Sequence, residues 1–347
     1  MRSSRLDWLL FVLLGFFWGS SYLFIKIGVE AGLRPLTLVT LRLAFGFLLL
    51  AAVVLLARER LPSQPRTYGH LLVIAVLSVA LPFALISWAE QSVDSTLAAV
   101  ITGAVPLFVI VIAAATLPDE PFTAPRVAGL LIGFVGVAIL VGFDPGVLAG
   151  TSLLPAVALM GSSVSYAAGG VYARRFLQGL RPMITALFEV GFALVIAGVL
   201  AIVIDRPIRL PDRPDALLAV VWLGLFGSGL AFLVFFRLLG RWGATRSSMV
   251  AYLIPIFGLV LGALVLREPV DARLLVGLTL VISGIALVNL AAGCQTEPDP
   301  SGQSLHRYRP PFLCLAARIV DFADWAVSAV RQPPRPRPTS RMIVGAG

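Results

Sequence analysis

Read as a pattern of apolar and polar positions, the chain is a succession of apolar runs of about 20 residues, cut by short breaks bearing proline, glycine or arginine. The runs fall at about 8–27, 35–57, 69–89, 96–117, 125–143, 153–173, 183–204, 216–236, 246–266 and 273–293. Each is long enough for an α-helix to cross a hydrocarbon core of about 30 Å. The pattern predicts an all-α integral membrane protein with ten transmembrane helices. Arg2 and Arg5 before the first run mimic a signal peptide, but no small-x-small cleavage site follows, so that run is expected to be an uncleaved helix.

After residue 293 the pattern changes. Residues 295–311 are polar and proline-bearing, and 331–341 are rich in arginine and proline. Between them, 312–330 is apolar except for a stripe of Arg318, Asp321, Asp324 and Ser328, three or four residues apart. That stripe argues against an eleventh span. It fits an interfacial amphipathic helix held to anionic lipid by the following arginines, with plain disorder as the alternative.

Composition agrees. Hydrophobic residues make up 59% of the chain, charged ones 13%, and the mean hydropathy is +0.95, which excludes an ordinary soluble globule. In a soluble chain a net charge of +9 would suggest nucleic acid; here its placement matters more, and the expected partner is the lipid bilayer. With a cytoplasmic N-terminus, the inner loops hold twelve arginines and the outer loops six. That excess predicts N-in, and an even number of spans then puts the C-terminal tail in the cytoplasm too. Cys294, Cys314, His70 and His306 have neither a disulfide pattern nor metal-ligand spacing, so no metal or cofactor is expected.

An internal repeat is the most informative feature. Gly32-Leu33-Arg34-Pro35 recurs 147 residues later as Gly179-Leu180-Arg181-Pro182, each copy opening an apolar run. At nearly the same offset Lys26 falls on Arg174, Thr96 on Thr245, Pro106 on Pro255 and Glu120-Pro121 on Glu268-Pro269. The chain therefore divides into a first five-span unit (1–146), a second (147–293) and the tail (294–347). Because five is odd, the second unit is inverted, an architecture that in secondary transporters places a substrate site near the midplane.

Phe17-Trp18-Gly19-Ser20 followed by Lys26 resembles the EamA-type family of the drug/metabolite transporter superfamily. So does Ala244-Thr245-Arg246-Ser247-Ser248 through Pro255 to Arg267-Glu268-Pro269, with its first-half counterpart Ser95-Thr96 through Pro106 to Asp119-Glu120-Pro121. The likeness covers about residues 8–293. It implies an inner-membrane carrier with cytoplasmic termini, spans one to four and six to nine around the cavity, and spans five and ten outside it. Asp119 and Arg267 stand where the family usually has glycine.

Two ionisable residues lie well inside the runs, Arg42 and Glu189, each seven residues after its repeat's proline. Such charges cost about 2.5 to 3.5 kcal/mol each on insertion scales and need a reason. A direct pair across the pseudo-two-fold would have to span about 10 Å of depth, so it needs long side chains or a bridging water. Arg42 suits an anionic substrate group; Glu189 suits proton coupling or a cationic group; a structural role is the alternative for each. Lys26 and Arg174 sit near span ends and are expected to snorkel.

Trp18, Tyr22, Ser87, Trp88, Tyr166 and Tyr252 are candidate cavity-lining residues, with a belt at the interface as the competing reading for Trp88. Pro82, Pro106 and Pro255 are candidate kinks at a gate. Gly129 and Gly133, and Gly258 and Gly262, have the small-xxx-small spacing that packs helices within a bundle or across a homodimer. The function expected is carriage of small metabolites, such as export of amino acids or related amphipathic compounds, by alternating access and without a covalent step. No P-loop or catalytic constellation is present. An intramembrane enzyme acting on lipid-like substrates would need clustered acids, which here are scattered, and a non-transporting scaffold or sensor is favoured only by the tail.

Overall fold

The computed structural model describes residues 5–59, 61–116, 124–141, 153–177, 179–208, 210–242 and 249–293. The Asp119-Glu120-Pro121 motif, residues 244–248, Cys294, Cys314, His306 and the tail's expected interfacial helix lie outside the described residues. The elements are α1 (Arg5–Glu30), α2 (Pro35–Leu56), α3 (Pro65–Ala89), α4 (Ser95–Thr116), α5 (Ala124–Val141), α6 (Leu153–Phe176) and α7 (Pro182–Ile204). They continue as α8 (Pro214–Trp222, extended by Leu223–Leu230 and Ala231–Trp242), α9 (Met249–Tyr252, Leu253–Leu261 and Gly262–Leu266) and α10 (Ala272–Gly293). Seven of these are long and apolar enough to cross a membrane, and the apolar parts of α5, α9 and α10 are shorter. The fold is an all-α, multi-pass membrane protein.

Both Gly-Leu-Arg-Pro copies fold alike. Gly32 (φ +92°) and Gly179 (φ +87°) take a left-handed turn, and nothing lies within 4 Å of a Cβ placed on either, so backbone angle rather than space calls for glycine. Arg34 and Arg181 are extended, as residues before proline prefer, and Pro35 and Pro182 occupy the first helical turn where no N–H is missed.

The packing is symmetric when helix numbers are shifted by five. The α2–α7 and α5–α10 contacts map onto themselves, α2–α8 maps onto α7–α3, and α1–α9 onto α6–α4. Small residues set the closest approaches. A Cβ on Gly284 of α10 would lie 2.5 Å from the Gly129 carbonyl oxygen, and one on Gly136 of α5 would lie 2.8 Å from that of Gly277. A Cβ on Gly262 would meet Glu268 Oε2 at 2.5 Å. These glycine faces are therefore occupied within the bundle. Leu55, Leu264, Val195 and Val203 point outward and are exposed, as a lipid-facing surface requires.

Four spans depart from a regular α-helix. α3 has a π-helical turn at Val76–Ala80 and α8 a longer one at Leu223–Leu230, and their first residues stand 147 apart, the offset of the sequence repeat. Pro82 follows the first turn, where its ring costs no regular helical hydrogen bond. α9 has the third, Gly262–Leu266, ending at Arg267 in a left-handed conformation (φ +56°). α4 is interrupted at Gly103 and Ala104, just before Pro106. Pro255 of α9 packs on this break: a Cβ on Gly103 would lie 3.2 Å from its Cγ.

Burial adds to the sequence reading. Besides Glu189 within α7, the acids Glu90 (0% exposed), Asp7, Asp205 and Glu268 are buried at helix ends.

Candidate functional site

The bundle's interior charges come from α2 and α7. Arg42 is buried on α2, where its Nε donates to Ser228 Oγ at 3.2 Å and its guanidinium carbon stands 4.0 Å from the centre of the Phe83 ring. Space for it comes from the π turn of α8: a Cβ on Gly227 would lie 3.4 Å from Arg42 Nη2 and 2.9 Å from Ser21 Oγ. Glu189 is buried on α7 and is hydrogen-bonded to the Ser78 hydroxyl in the π turn of α3. Each ionisable side chain thus meets a serine in the irregular turn of the other sequence unit. Unwinding by one residue re-aims side chains and loosens the hydrogen-bond ladder, which is why such turns concentrate at functional sites.

Arg42 and Glu189 do not pair directly; no ion pair joins them. The charged or titratable groups acting on the guanidinium are Tyr166, Glu90 and Tyr22. Tyr166, half-buried on α6, interacts electrostatically with Tyr22, Arg42 and Glu189. Tyr22 is buried on α1 and hydrogen-bonds with Thr102, at the end of the first segment of α4. Tyr22, Arg42 and Tyr166, with Phe83, therefore form one polar and aromatic centre.

The other candidates are placed around it. Trp18 packs on α8, its ring 5.4 Å from Phe235 and 6.3 Å from Phe232. Tyr252 packs against the core shared by α1, α3 and α4. Ser87 is fully buried, and its hydroxyl has no hydrogen-bond partner. Trp88 is 41% exposed at the end of α3. Sequence reasoning did not single out Trp222. This α8 residue donates from Nε1 to Ser20 Oγ at 3.0 Å and stacks on Phe24 with ring centres 4.9 Å apart. Nor did it find Phe83, Ser78 or Ser228, whose contribution depends on the π turns.

One end of the bundle is tied by buried polar groups. Lys26 does not snorkel: its Nζ donates to the carbonyls of Glu90 (3.0 Å) and Val93 (2.9 Å), capping the end of α3, and lies 3.5 Å from Glu30. Glu268 accepts from the backbone N–H of Ser95 and of Thr96, both at 2.8 Å, and from Ser95 Oγ at 3.1 Å, so it caps the start of α4. Asp205 likewise caps the start of α2 through Thr37 N (2.7 Å) and Thr37 Oγ1 (3.0 Å). At the opposite end Asp7 and Arg241 approach to 3.1 Å, Arg181 pairs with Glu59, and His70 Nδ1 lies 2.8 Å from the Tyr172 hydroxyl. Among the described residues no cluster of three or more His, Cys, Asp or Glu gathers to hold a metal.

Comparison with known proteins adds a family. The model of the EamA-like transporter family matches the chain twice, over residues 7–142 and 153–290. The chain is 31% identical over 277 residues to the "Uncharacterized inner membrane transporter YedA" of Escherichia coli K12, covering 79% of this chain and 87% of that protein. It is 25% identical over 282 residues to an "Uncharacterized transporter" of Archaeoglobus fulgidus, covering 81% and 98%. A "Probable amino-acid metabolite efflux pump" of Escherichia coli K12 is 24% identical over 292 residues, covering 81% and 94%. A crystal structure titled only "Crystal structure of protein" shares the fold with a TM-score of 0.61 at 20% identity, over 85% of this chain and all of that one.

Proposed function

The chain belongs to the EamA-like transporter family and is a small-molecule membrane transporter, not an enzyme; from that premise we propose that it is a secondary carrier working by alternating access. In this reading residues 1–146 and 147–293 are inverted halves that rock about a site near the midplane, in the inner membrane, with both termini cytoplasmic. The Lys26 end is then the outer one, and its three buried caps hold it shut. Pro106 and Pro255, packed across the break in α4, and Pro82 beside the α3 turn are the flexible points of the gates.

The observation that carries the proposal is the centre around Arg42. A guanidinium kept 2% exposed in a lipid-embedded bundle, which among the described residues holds one neutral hydroxyl and an aromatic face, has donors left over for a ligand. Tyr22 and Tyr166 add hydroxyls and ring faces, and Trp18, Ser87 and Tyr252 extend the lining, while Trp88 marks its rim. The substrates that suit such a site are small, amphipathic and carry an anionic group, as amino acids do. The efflux relative of Escherichia coli supports that class and the outward direction. Glu189, with one hydroxyl partner, is the proposed proton-coupling carboxyl within the spans.

The test is uptake of a labelled metabolite panel into proteoliposomes, with and without a pH gradient. Gradient-driven movement of amphipathic acids or amino acids, lost with Arg42→Leu, supports the proposal. Well-folded protein that moves nothing on the panel overturns it in favour of a scaffold.

A further inference from the structure

We propose that Glu90, a residue outside the Arg42 centre's lining, is a proton-binding site that is loaded while the Lys26 end of the bundle is shut. Its role in transport rests on the carrier reading; its occupancy by a proton does not.

Glu90 is the first residue after α3. Lys26 grips its carbonyl together with that of Val93, which fixes the turn and leaves the side chain directed inward, 0% exposed. Both carboxyl oxygens are buried without a hydrogen-bond partner. Its charged and titratable neighbours bond to other groups, and none of these hydrogen bonds or ion pairs is to the Glu90 carboxyl. Lys26 of α1 is held by the two carbonyls and Glu30, Arg42 of α2 by Ser228, Tyr22 of α1 by Thr102, and Glu268, after α9, by Ser95 and Thr96. None of them lies within ion-pair distance of Glu90.

An ionised carboxylate in such a place, with no donor, costs several kcal/mol, and the neutral acid costs far less. Burial pushes the Glu90 carboxyl well above the usual carboxylate range; Glu268 adds to the shift, and Lys26 and Arg42 oppose it. A metal ion would need several converging oxygen ligands and would be repelled by Lys26 and Arg42. A proton needs neither. For Glu90 to ionise, water must reach it, and the turn that bears it must part from α1 and from Glu268. Protonation and closure of this end are therefore reciprocally linked: closing raises proton affinity, and opening releases the proton.

Two measurements on the full chain test this without a substrate. Infrared pH titration in detergent, in a Glu189→Gln background that removes the other buried span carboxyl, should show a protonated-carboxyl band that persists at neutral pH, disappears only under alkaline conditions and is absent once Glu90→Gln is added. Should Glu90→Gln fail to fold, Lys26→Met serves instead: removing the positive neighbour should move the band's titration to still higher pH. Amide exchange of residues 90–96, compared with Glu90→Gln at each pH, should lose protection by up to about tenfold per pH unit between the ordinary carboxylate range and that titration, and level off above it. A neutral-pH band unchanged by Glu90→Gln, or unmoved by Lys26→Met, overturns the proposal, as does protection that follows the variant at every pH. If these results hold but no metabolite is transported, the proton site stands and the carrier reading falls.

Discussion

Arg42 and Glu189 occupy equivalent positions in the repeated sequence, and each reaches a serine in the π turn of the other unit, yet the two turns are built differently. The α8 turn is glycine-rich, and its backbone lies directly on α2: a Cβ on Gly224 would meet the side chain of Phe45 and stand 2.8 Å from the Arg42 carbonyl oxygen. The α3 turn contains no glycine, and its close neighbour is Gly169 of α6, where a Cβ would strike Ser78 Oγ, the mobile end of a side chain. A bulky planar cation with several donors needs room made by backbone. A carboxyl accepting one hydroxyl does not. The α8 turn on the Arg42 side thus lies against the backbone of α2, whereas the closest atom to Gly169 on the Glu189 side is the Ser78 hydroxyl.

The largest way to break this contrast is Arg42→Leu. Losing charge-assisted contacts of roughly 1.5–3 kcal/mol should weaken uptake of anionic-group substrates about tenfold to a hundredfold. Arg42→Lys, with fewer donors and no planar fork, should recover only part, as read by initial rates in proteoliposomes. Next comes Gly224→Ala, whose new methyl meets Phe45 Cβ and the Arg42 carbonyl oxygen: melting in detergent should show a loss of about 1–3 kcal/mol, against a smaller one for Gly169→Ala, where the closest atom is the Ser78 hydroxyl, which can rotate at the cost of its bond to Glu189. Equal losses would erase the distinction between the turns.

Glu189→Gln tests the other side of the contrast. It should abolish the dependence of uptake on the proton gradient while leaving exchange at equal pH measurable. Glu189 and Glu90 also differ, in that one has a hydroxyl partner and the other has none. For Glu90 the folded chain holds the proton more tightly than the unfolded chain. Stability should therefore fall as pH rises from the usual carboxylate value of about 4.3 through the raised folded value, and return on acidification. Melting temperatures of Glu90→Gln should be flatter across that range. The smallest effects are expected from the serines, about 1 kcal/mol each. Ser78→Ala should cost more than Ser228→Ala, because Glu189 loses its hydroxyl partner whereas Arg42 keeps Phe83.

Much of the architecture was legible. The apolar runs coincide with the helices within a few residues, because a bilayer demands about 20 apolar residues per crossing whatever their order. The repeated Gly-Leu-Arg-Pro fell at helix starts because a left-handed glycine and a proline at the first turn have few other uses side by side. The candidate site was only partly legible. Arg42, Glu189, Tyr22 and Tyr166 stood out as polar residues in apolar runs, but their partners Ser78, Ser228 and Phe83 did not. A serine or phenylalanine inside a membrane helix is common, and its role depends on a π turn that leaves no mark in composition. Glu90 was missed because it lies at the edge of a run, beside Gln91, Ser92 and Asp94, where a charge reads as loop.

The sequence by itself determined that the chain lives in lipid, how many times its apolar runs recur, and that its two parts are copies, since these follow from length, hydropathy and a fixed offset. Which face of each helix points inward was decided only by tertiary structure. Helices apolar on every side carry no stripe to read, and only packing distinguishes lipid from neighbour. Packing turned Lys26 from a headgroup contact into a cap, separated Arg42 from Glu189, and shut Glu90 away without a partner, because close approach at glycines and π turns sets where each side chain can reach.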